Sequence, residues 1–136
     1  MRRTAATVAV LALLVSACGT TETSPNEPNF DDQQQQVAQV VDNLADAGRR
    51  GDATRICEEI LAKRLVDELK AAGGDCTTEM DRAIKDASDY DLQVTDVKVN
   101  GSTATAKVRQ GDDGKVATFT FVKDKGGWRA SALGAA

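Results

Sequence analysis

The sequence predicts an α+β domain in which three helices are packed on a curved, four-stranded antiparallel sheet. Two changes of pattern indicate this class. Apolar residues recur with helical spacing up to residue 87, and from residue 90 they alternate with polar residues. Helices and strands that occupy separate parts of a chain are typical of α+β folds. The 136 residues, of which 41% are hydrophobic, suffice for one such domain and a leader.

Three apolar stripes predict the helices, at the start of a globular domain expected over residues 34–133. Each stripe repeats at intervals of three or four residues, which places its members on one helix face. Asp52 is the predicted N-cap of the second helix, and Gly73 with Gly74 is its predicted end. The stripes contain Val37, Val40, Val41, Leu44 and Gly48; Ile56, Ile60, Leu61, Leu65 and Leu69; and Cys76, Met80, Ala83, Ile84 and Ala87.

Four strands joined by tight turns follow the helices. Apolar and polar residues alternate from residue 92 to residue 99, and a slip of phase at 95–96 predicts a β-bulge. Asn100 followed by Gly101 is typical of a two-residue hairpin turn. Further turns are expected at 111–114 and 124–127, so that the last strand starts near Trp128.

The order of these elements resembles the nuclear transport factor 2-like, cystatin-like cone over about residues 34–133. The resemblance is carried by Gly51 and Asp52 between two helices, by Val-Thr-Asp-Val at 94–97 before the hairpin turn, and by Gly-Gly-Trp-Arg at 126–129. The chain looks most similar to small secreted lipoproteins of high-GC Gram-positive bacteria. This fold hosts enzymes, ligand carriers and protein-binding modules, so the resemblance implies a shape and assigns no activity.

Residues 1–17 have the features of a signal peptide. Two arginines at positions 2 and 3 precede 13 uncharged residues at 5–17. A helix of that length reaches about 20 Å, which is short of the roughly 30 Å hydrocarbon layer. A permanent membrane-spanning helix is therefore the less favoured alternative.

The sequence Val-Ser-Ala-Cys-Gly at 15–19 resembles the lipobox of bacterial lipoproteins. The resemblance implies that Cys18 is lipidated and becomes the new N-terminus, which would hold the protein on the extracytoplasmic face of the cell membrane. Two acyl chains would anchor it stably, because each buried methylene contributes about 0.8 kcal/mol. An ordinary cleaved signal that leaves a free thiol is the alternative.

Residues 18–33 are expected to form a disordered tether behind the lipidated N-terminus. They contain both prolines and, after Cys18, only Phe30 as an apolar side chain. The glutamine run at 33–36 is interpreted as the polar start of the first helix. Removal of residues 1–17 takes away two arginines and no acid, so the net charge would change from −4 to −6. This balance argues against nucleic acid as a partner.

Cys57 and Cys76 are the remaining cysteines, and we expect them to form a disulfide. With Cys18 consumed by lipid, they are the even pair available in an oxidising compartment. Two buried reduced thiols and a metal site are the alternatives. Zinc would need more ligands, and the chain contains no histidine.

The absence of histidine also removes the commonest general base and the serine and cysteine triads. Asp89, Tyr90 and Asp91 are the best acid–base candidates, although a solvated turn is the simpler interpretation. Asp112 and Asp113 lack the pattern of a calcium loop and are expected at a hairpin tip. No catalytic residue, metal or cofactor is therefore predicted.

Tyr90 and Trp128 are the candidate walls of a pocket in the cone. Trp128 is the sole tryptophan, and on a predicted strand it would fill the inner face of the sheet or stack on a ligand.

Four bases, if they share the outer face of the sheet, could meet an anionic cell-wall polymer or an acidic partner. Solvated strand edges kept soluble by lysine are the alternative. The four are Lys107, Arg109, Lys123 and Arg129.

The predicted function is that of a lipid-anchored, non-catalytic binding or interaction module of the cell envelope. Its partners would be the membrane, through the lipid on Cys18, and an envelope protein, polymer or lipid ligand. A small-molecule or lipid carrier and an enzyme, each using the cone cavity, are the alternatives.

Overall fold

Four helices and a four-stranded antiparallel sheet make up the computed structural model, which describes residues 28–87, 89–111 and 114–135. The α+β class predicted from the sequence is confirmed. The helices are α1 (Asp32–Arg50), α2 (Ala53–Arg55), which continues into a π-helical turn (Ile56–Ile60), α3 (Lys63–Ala71) and α4 (Cys76–Asp86). The strands are β1 (Leu92–Asn100), β2 (Thr103–Gln110), β3 (Lys115–Asp124) and β4 (Gly127–Ala135), and neighbours in sequence are neighbours in the sheet.

Helix α1 begins at a capping box formed by Asp31 and Gln34. The Asp31 carboxylate accepts from the backbone N–H of Gln34 at 2.9 Å, and the Gln34 side chain accepts from the backbone N–H of Asp31. Gly51, with a φ of 68°, ends the helix in the left-handed conformation that glycine adopts without strain. Asp52 then caps α2 by accepting from the backbone N–H of Arg55, as the sequence predicts.

The second helix expected from the sequence is interrupted at Leu61 and Ala62, so four helices replace the expected three. Leu61 forms a parallel bridge with Ala130 of β4, and the Ala62 N–H donates to the Ala130 carbonyl at 2.8 Å. Both side chains are buried. The break therefore exchanges helical hydrogen bonds for a contact that covers part of the exposed edge of β4.

The pairing of the sheet contains three irregularities. The register shifts between Val94 and Asp96 in β1, which confirms the predicted bulge. Two further shifts fall between Thr118 and Phe119 and between Thr120 and Phe121, in the pairing of β3 with β4. Bulges bend a strand locally and increase its twist.

The core lies between the helices and one face of the sheet. Along β2 the alternation is strict, because Ala104, Ala106 and Val108 are buried and the residues between them are exposed. The largest fully buried side chains are Phe121, Leu61, Val37, Val41 and Val108. Within the described residues, no helix combines the length and the apolar composition needed to cross a membrane.

Candidate functional site

An open groove of about 520 Å³ lies between the first half of α1 and the start of β4. The α1 residues that line the groove are three or four positions apart along the helix, a spacing that places their side chains on one face of α1. The groove is lined by Asp32, Gln35, Gln36, Gln39, Gly127 and Trp128.

Trp128 carries the unusual feature of this groove. The side chain is only 6% exposed. Its Nε1–H is the one buried side-chain nitrogen or oxygen in the described part of the chain that has no hydrogen-bond partner. An indole N–H can only donate, and buried donors in proteins nearly always find an acceptor. A donor left unpaired costs about 1–3 kcal/mol, so a ligand that supplied an acceptor would recover that free energy.

Lys123 covers the indole ring of Trp128. The two residues are direct partners in the pairing of β3 with β4, which places them on the same face of the sheet. The Lys123 Nζ lies 5.2 Å from the ring centroid, within cation–π range. Because Lys123 is exposed, this contact is worth about 0.5–1 kcal/mol, and a ligand could displace it at that cost.

The helical wall supplies free carboxamides. The Gln35 side chain already has a partner, since its Nε2 donates to the Phe30 carbonyl at 2.9 Å. Gln36 and Gln39 are exposed, and their side chains make no hydrogen bond within the described residues. Each offers a donor and an acceptor, beside the carboxylate of Asp32 in the first turn of α1. The groove therefore presents a polar wall opposite an aromatic edge.

Tyr90 lies elsewhere and has a structural contact pattern. Its hydroxyl donates to the Ile84 carbonyl of α4, and its ring lies against Gly48 of α1. Arg49 Nη1 donates to the Tyr90 carbonyl at 3.5 Å. The structure thus separates the two candidate pocket walls, because Trp128 lines the groove and Tyr90 joins α1 to α4.

The acids beside Tyr90 form a turn rather than an acid–base pair with it. Asp89 Oδ1 accepts from the backbone N–H of Asp91 at 2.8 Å, and both residues are exposed. The partner of the Tyr90 hydroxyl is a backbone carbonyl, which cannot exchange a proton with it.

The four bases expected on the outer face do not share it. Lys107 and Arg109 are exposed there, between the buried positions of β2. Lys123 instead lies on the core face over Trp128. The Arg129 guanidinium already has a hydrogen-bond partner, because its Nη1 donates to the Glu58 carbonyl at 2.6 Å. The four bases therefore do not all share the outer face, because Lys123 lies on the core face.

Cys57 of the π-helical turn and Cys76 of α4 form a disulfide, with an S–S distance of 2.05 Å and a Cα–Cα distance of 6.1 Å. They are the pair that the sequence indicates. Asp75 caps α4 immediately before Cys76. Its carboxylate accepts from the backbone N–H of Thr78 at 3.0 Å, which lowers the pKa of Asp75 below its ordinary value.

A second pocket, of about 230 Å³, lies beside Cys57 and is lined largely by charged side chains. Lys63 is paired with Asp67 at 2.6 Å, and this hydrogen bond raises the pKa of Lys63. Arg129, another lining residue, is held by the Glu58 carbonyl. Two of its cations therefore already have partners, and none of its described lining residues has a buried side-chain nitrogen or oxygen without one, so it is a weaker candidate than the groove.

Metal binding finds no support in the described ranges. No group of three or more His, Cys, Asp or Glu residues within residues 28–87, 89–111 and 114–135 could hold an ion. Cys18, Asp112 and Asp113 lie outside the described residues.

No protein-family model, curated protein or solved structure matches this chain. The choice of the groove as the candidate site therefore depends on the chemistry of its own residues.

Proposed function

We propose that this protein is a lipid-anchored binding module of the cell envelope, which is attached through Cys18 and takes its ligand in the groove between α1 and β4. The observation that carries the binding role is that Trp128, whose buried indole N–H has no hydrogen-bond partner, lines this groove. The groove residues suit binding better than catalysis. They are amides, one carboxylate, a glycine and an indole, and none of them is a nucleophile activated by a base.

The finer fold that we propose is the nuclear transport factor 2-like cone. It is supported by the long α1 against the sheet and by the three register shifts that bend the strands. The inner face carries Phe119 and Phe121, both buried in the core. Because these two rings fill the space between the helices and the sheet, a ligand is more easily accommodated at the groove than inside the core.

The anchor is tested with Cys18→Ala in the full chain. We expect the wild type to incorporate a palmitate analogue and to sediment with membranes. The variant should lose the label and appear in the soluble or released fraction, because the acyl chains provide the attachment. A Cys57→Ala/Cys76→Ala variant is the matched control and should stay labelled. Unchanged labelling and sedimentation of Cys18→Ala would contradict the anchor.

The groove is tested through its own fluorophore, since Trp128 is the only tryptophan. Glycan, peptide and lipid fractions of the cell envelope are added to the intact chain in detergent. We expect one class to change the Trp128 emission saturably.

The Gln36→Ala/Gln39→Ala variant should bind about tenfold more weakly or worse, because two hydrogen bonds are lost. Gln33→Ala is the matched control, an exposed glutamine of α1 that does not line the groove. The proposed site fails if no fraction gives a saturable change, or if the control loses as much affinity as the double variant.

A further inference from the structure

We infer that the ligand of the groove is a neutral glycan. The inference rests on the proposed function, because it names the chemical class that the groove would bind. It follows from the hydrogen-bonding groups that line the groove, from their charge, and from the state of Trp128.

The free polar groups of the groove match vicinal hydroxyls. Gln36 and Gln39 can each donate and accept, the carboxylate of Asp32 can only accept, and the Trp128 Nε1–H can only donate. A hydroxyl group both donates and accepts, so neighbouring hydroxyls on a sugar ring could pair with Asp32, Gln36 and Gln39. Pairing with the Trp128 Nε1–H would also require the groups that bury it to move. A ligand that carried acceptors alone would leave Asp32 unsatisfied.

The charge of the lining disfavours an anionic ligand. Asp32 is the only charged residue among the lining residues, and it is an acid. A phosphate or carboxylate would face Asp32 with no cation in the lining, and juxtaposed like charges are unfavourable. Lys123 contacts one lining residue, but it does so over the Trp128 ring.

An apolar ligand is disfavoured by desolvation. An acyl chain in the groove would remove water from Gln36 and Gln39 without replacing their hydrogen bonds. It would also leave the indole N–H of Trp128 unpaired. Each such group destabilises the complex when it is buried without a partner. A neutral, hydroxyl-rich ligand avoids both this cost and the repulsion from Asp32.

Lys123 is the movable part of the site. Trp128 is almost closed to solvent, so a ligand that reaches its indole must shift a neighbouring group. Lys123 is exposed, has a flexible side chain and contacts the ring. We expect a bound sugar to displace the Lys123 ammonium group and place its own C–H groups near the ring.

The test uses the intact chain in detergent micelles, with Trp128 emission and calorimetry as readouts. The neutral probes are maltohexaose, mannohexaose, arabinohexaose and chitohexaose, and the charged comparison is a polygalacturonate hexamer. We expect saturable binding of at least one neutral probe and none of the charged one. In a second arm, a neutral glycolipid mixed into the micelles distinguishes a lipid-linked sugar from a soluble polysaccharide.

Lys123→Met separates a neutral ligand from an anionic one, because methionine keeps the length of the side chain and removes the charge. For a neutral glycan we expect affinity to rise by about two- to fivefold, since the cation–π contact no longer has to be broken. Gln36→Ala/Gln39→Ala should weaken binding about tenfold or more, and Gln33→Ala should not.

The outcomes separate this inference from the proposed function. If only the charged oligosaccharide, a peptide or a lipid fraction titrates Trp128, or if Lys123→Met abolishes binding, the glycan inference is overturned and the groove stands as a binding site. If neither the defined probes nor the envelope fractions change the emission saturably, both are overturned.

Discussion

Replacement of both Cys57 and Cys76 by alanine is expected to lower the free energy of unfolding by about 3 kcal/mol. The bridge links residues 19 apart in sequence and so restricts a loop of that size in the unfolded chain. The chain-entropy relation for such a loop gives this magnitude. This loss is a large share of the whole free energy of unfolding, because folded domains are stable by only about 5–15 kcal/mol.

The loss should be concentrated around α4. Cys76 is the only buried residue of α4, and the remaining anchors of this helix include the partly buried Met80 and Ile84. The loop closed by the disulfide also contains Leu61 and Ala62, which cover the edge of β4. Without the bridge, amide hydrogens of α4 are expected to exchange with solvent earlier than those of β2 and β3.

Urea denaturation measures this prediction in the wild type, in the double variant, and in the wild type with a thiol reductant. Alanine is preferred to serine at both positions, since Cys76 is buried and a hydroxyl there would need a partner. The reductant should destabilise the wild type and leave the double variant unchanged. A double variant within about 0.5 kcal/mol of the wild type, together with a wild type insensitive to reductant, would show that the pair is reduced in the native protein.

The elements that could be predicted from the sequence are those set by local chemistry. The bulge in β1 appears as a slip in alternation, and the turn after Asn100 contains Gly101 with a φ of 60°. The caps at Asp52 and Asp75 lie where a short polar side chain precedes an amphipathic segment. Each of these signals is complete within a few residues.

The break at Leu61 and Ala62 could not be predicted in this way. Leu61 satisfies the helical apolar period, and it is buried in the extended conformation as well. What ends the helix is the Ala130 carbonyl, which lies 68 residues beyond the Ala62 N–H that it accepts from. A pattern within one segment contains no information about that partner.

Lys123 illustrates a related limit at the end of a strand. On β3 it follows Phe119 and Phe121 at the same parity, so it belongs to the core face. The charge of Lys123 favours a position on the outer face of the sheet, because charged residues are rarely buried. Beside the last hairpin turn, however, the core face is open to solvent. A long side chain can there lie over a neighbouring ring while its ammonium group stays in contact with water.

The candidate site was partly visible in the sequence. The sequence indicates Trp128 as a candidate wall, whereas the glutamine run at 33–36 is interpreted as the polar start of the first helix. The available signal was the recurrence of Asp32, Gln35, Gln36 and Gln39 at helical spacing. That pattern is shared by any solvated helix face, and only the approach of β4 makes it the wall of a groove.

Gly48→Ala is expected to destabilise the domain by about 1–3 kcal/mol, as overpacking of a filled core does. The direction is opposite to the usual effect, since alanine in place of glycine inside a helix stabilises by about 1 kcal/mol. A Cβ at Gly48 would lie 2.7 Å from Cδ1 and 3.2 Å from Cε1 of Tyr90. The ring cannot withdraw freely, because the Tyr90 hydroxyl is bound to the Ile84 carbonyl of α4.

A double-mutant cycle with Tyr90→Ala isolates this contact. Without the ring, Gly48→Ala should become neutral or stabilising, because only the helix preference of alanine remains. Gly51→Ala is the matched control. Its Cβ would meet nothing within 4 Å, but its φ of 68° strains any residue with a side chain. Its cost should therefore be the same in both backgrounds. A Gly48→Ala variant as stable as the wild type, or one whose loss persists without the Tyr90 ring, would refute the steric role assigned to Gly48 in joining α1 to α4.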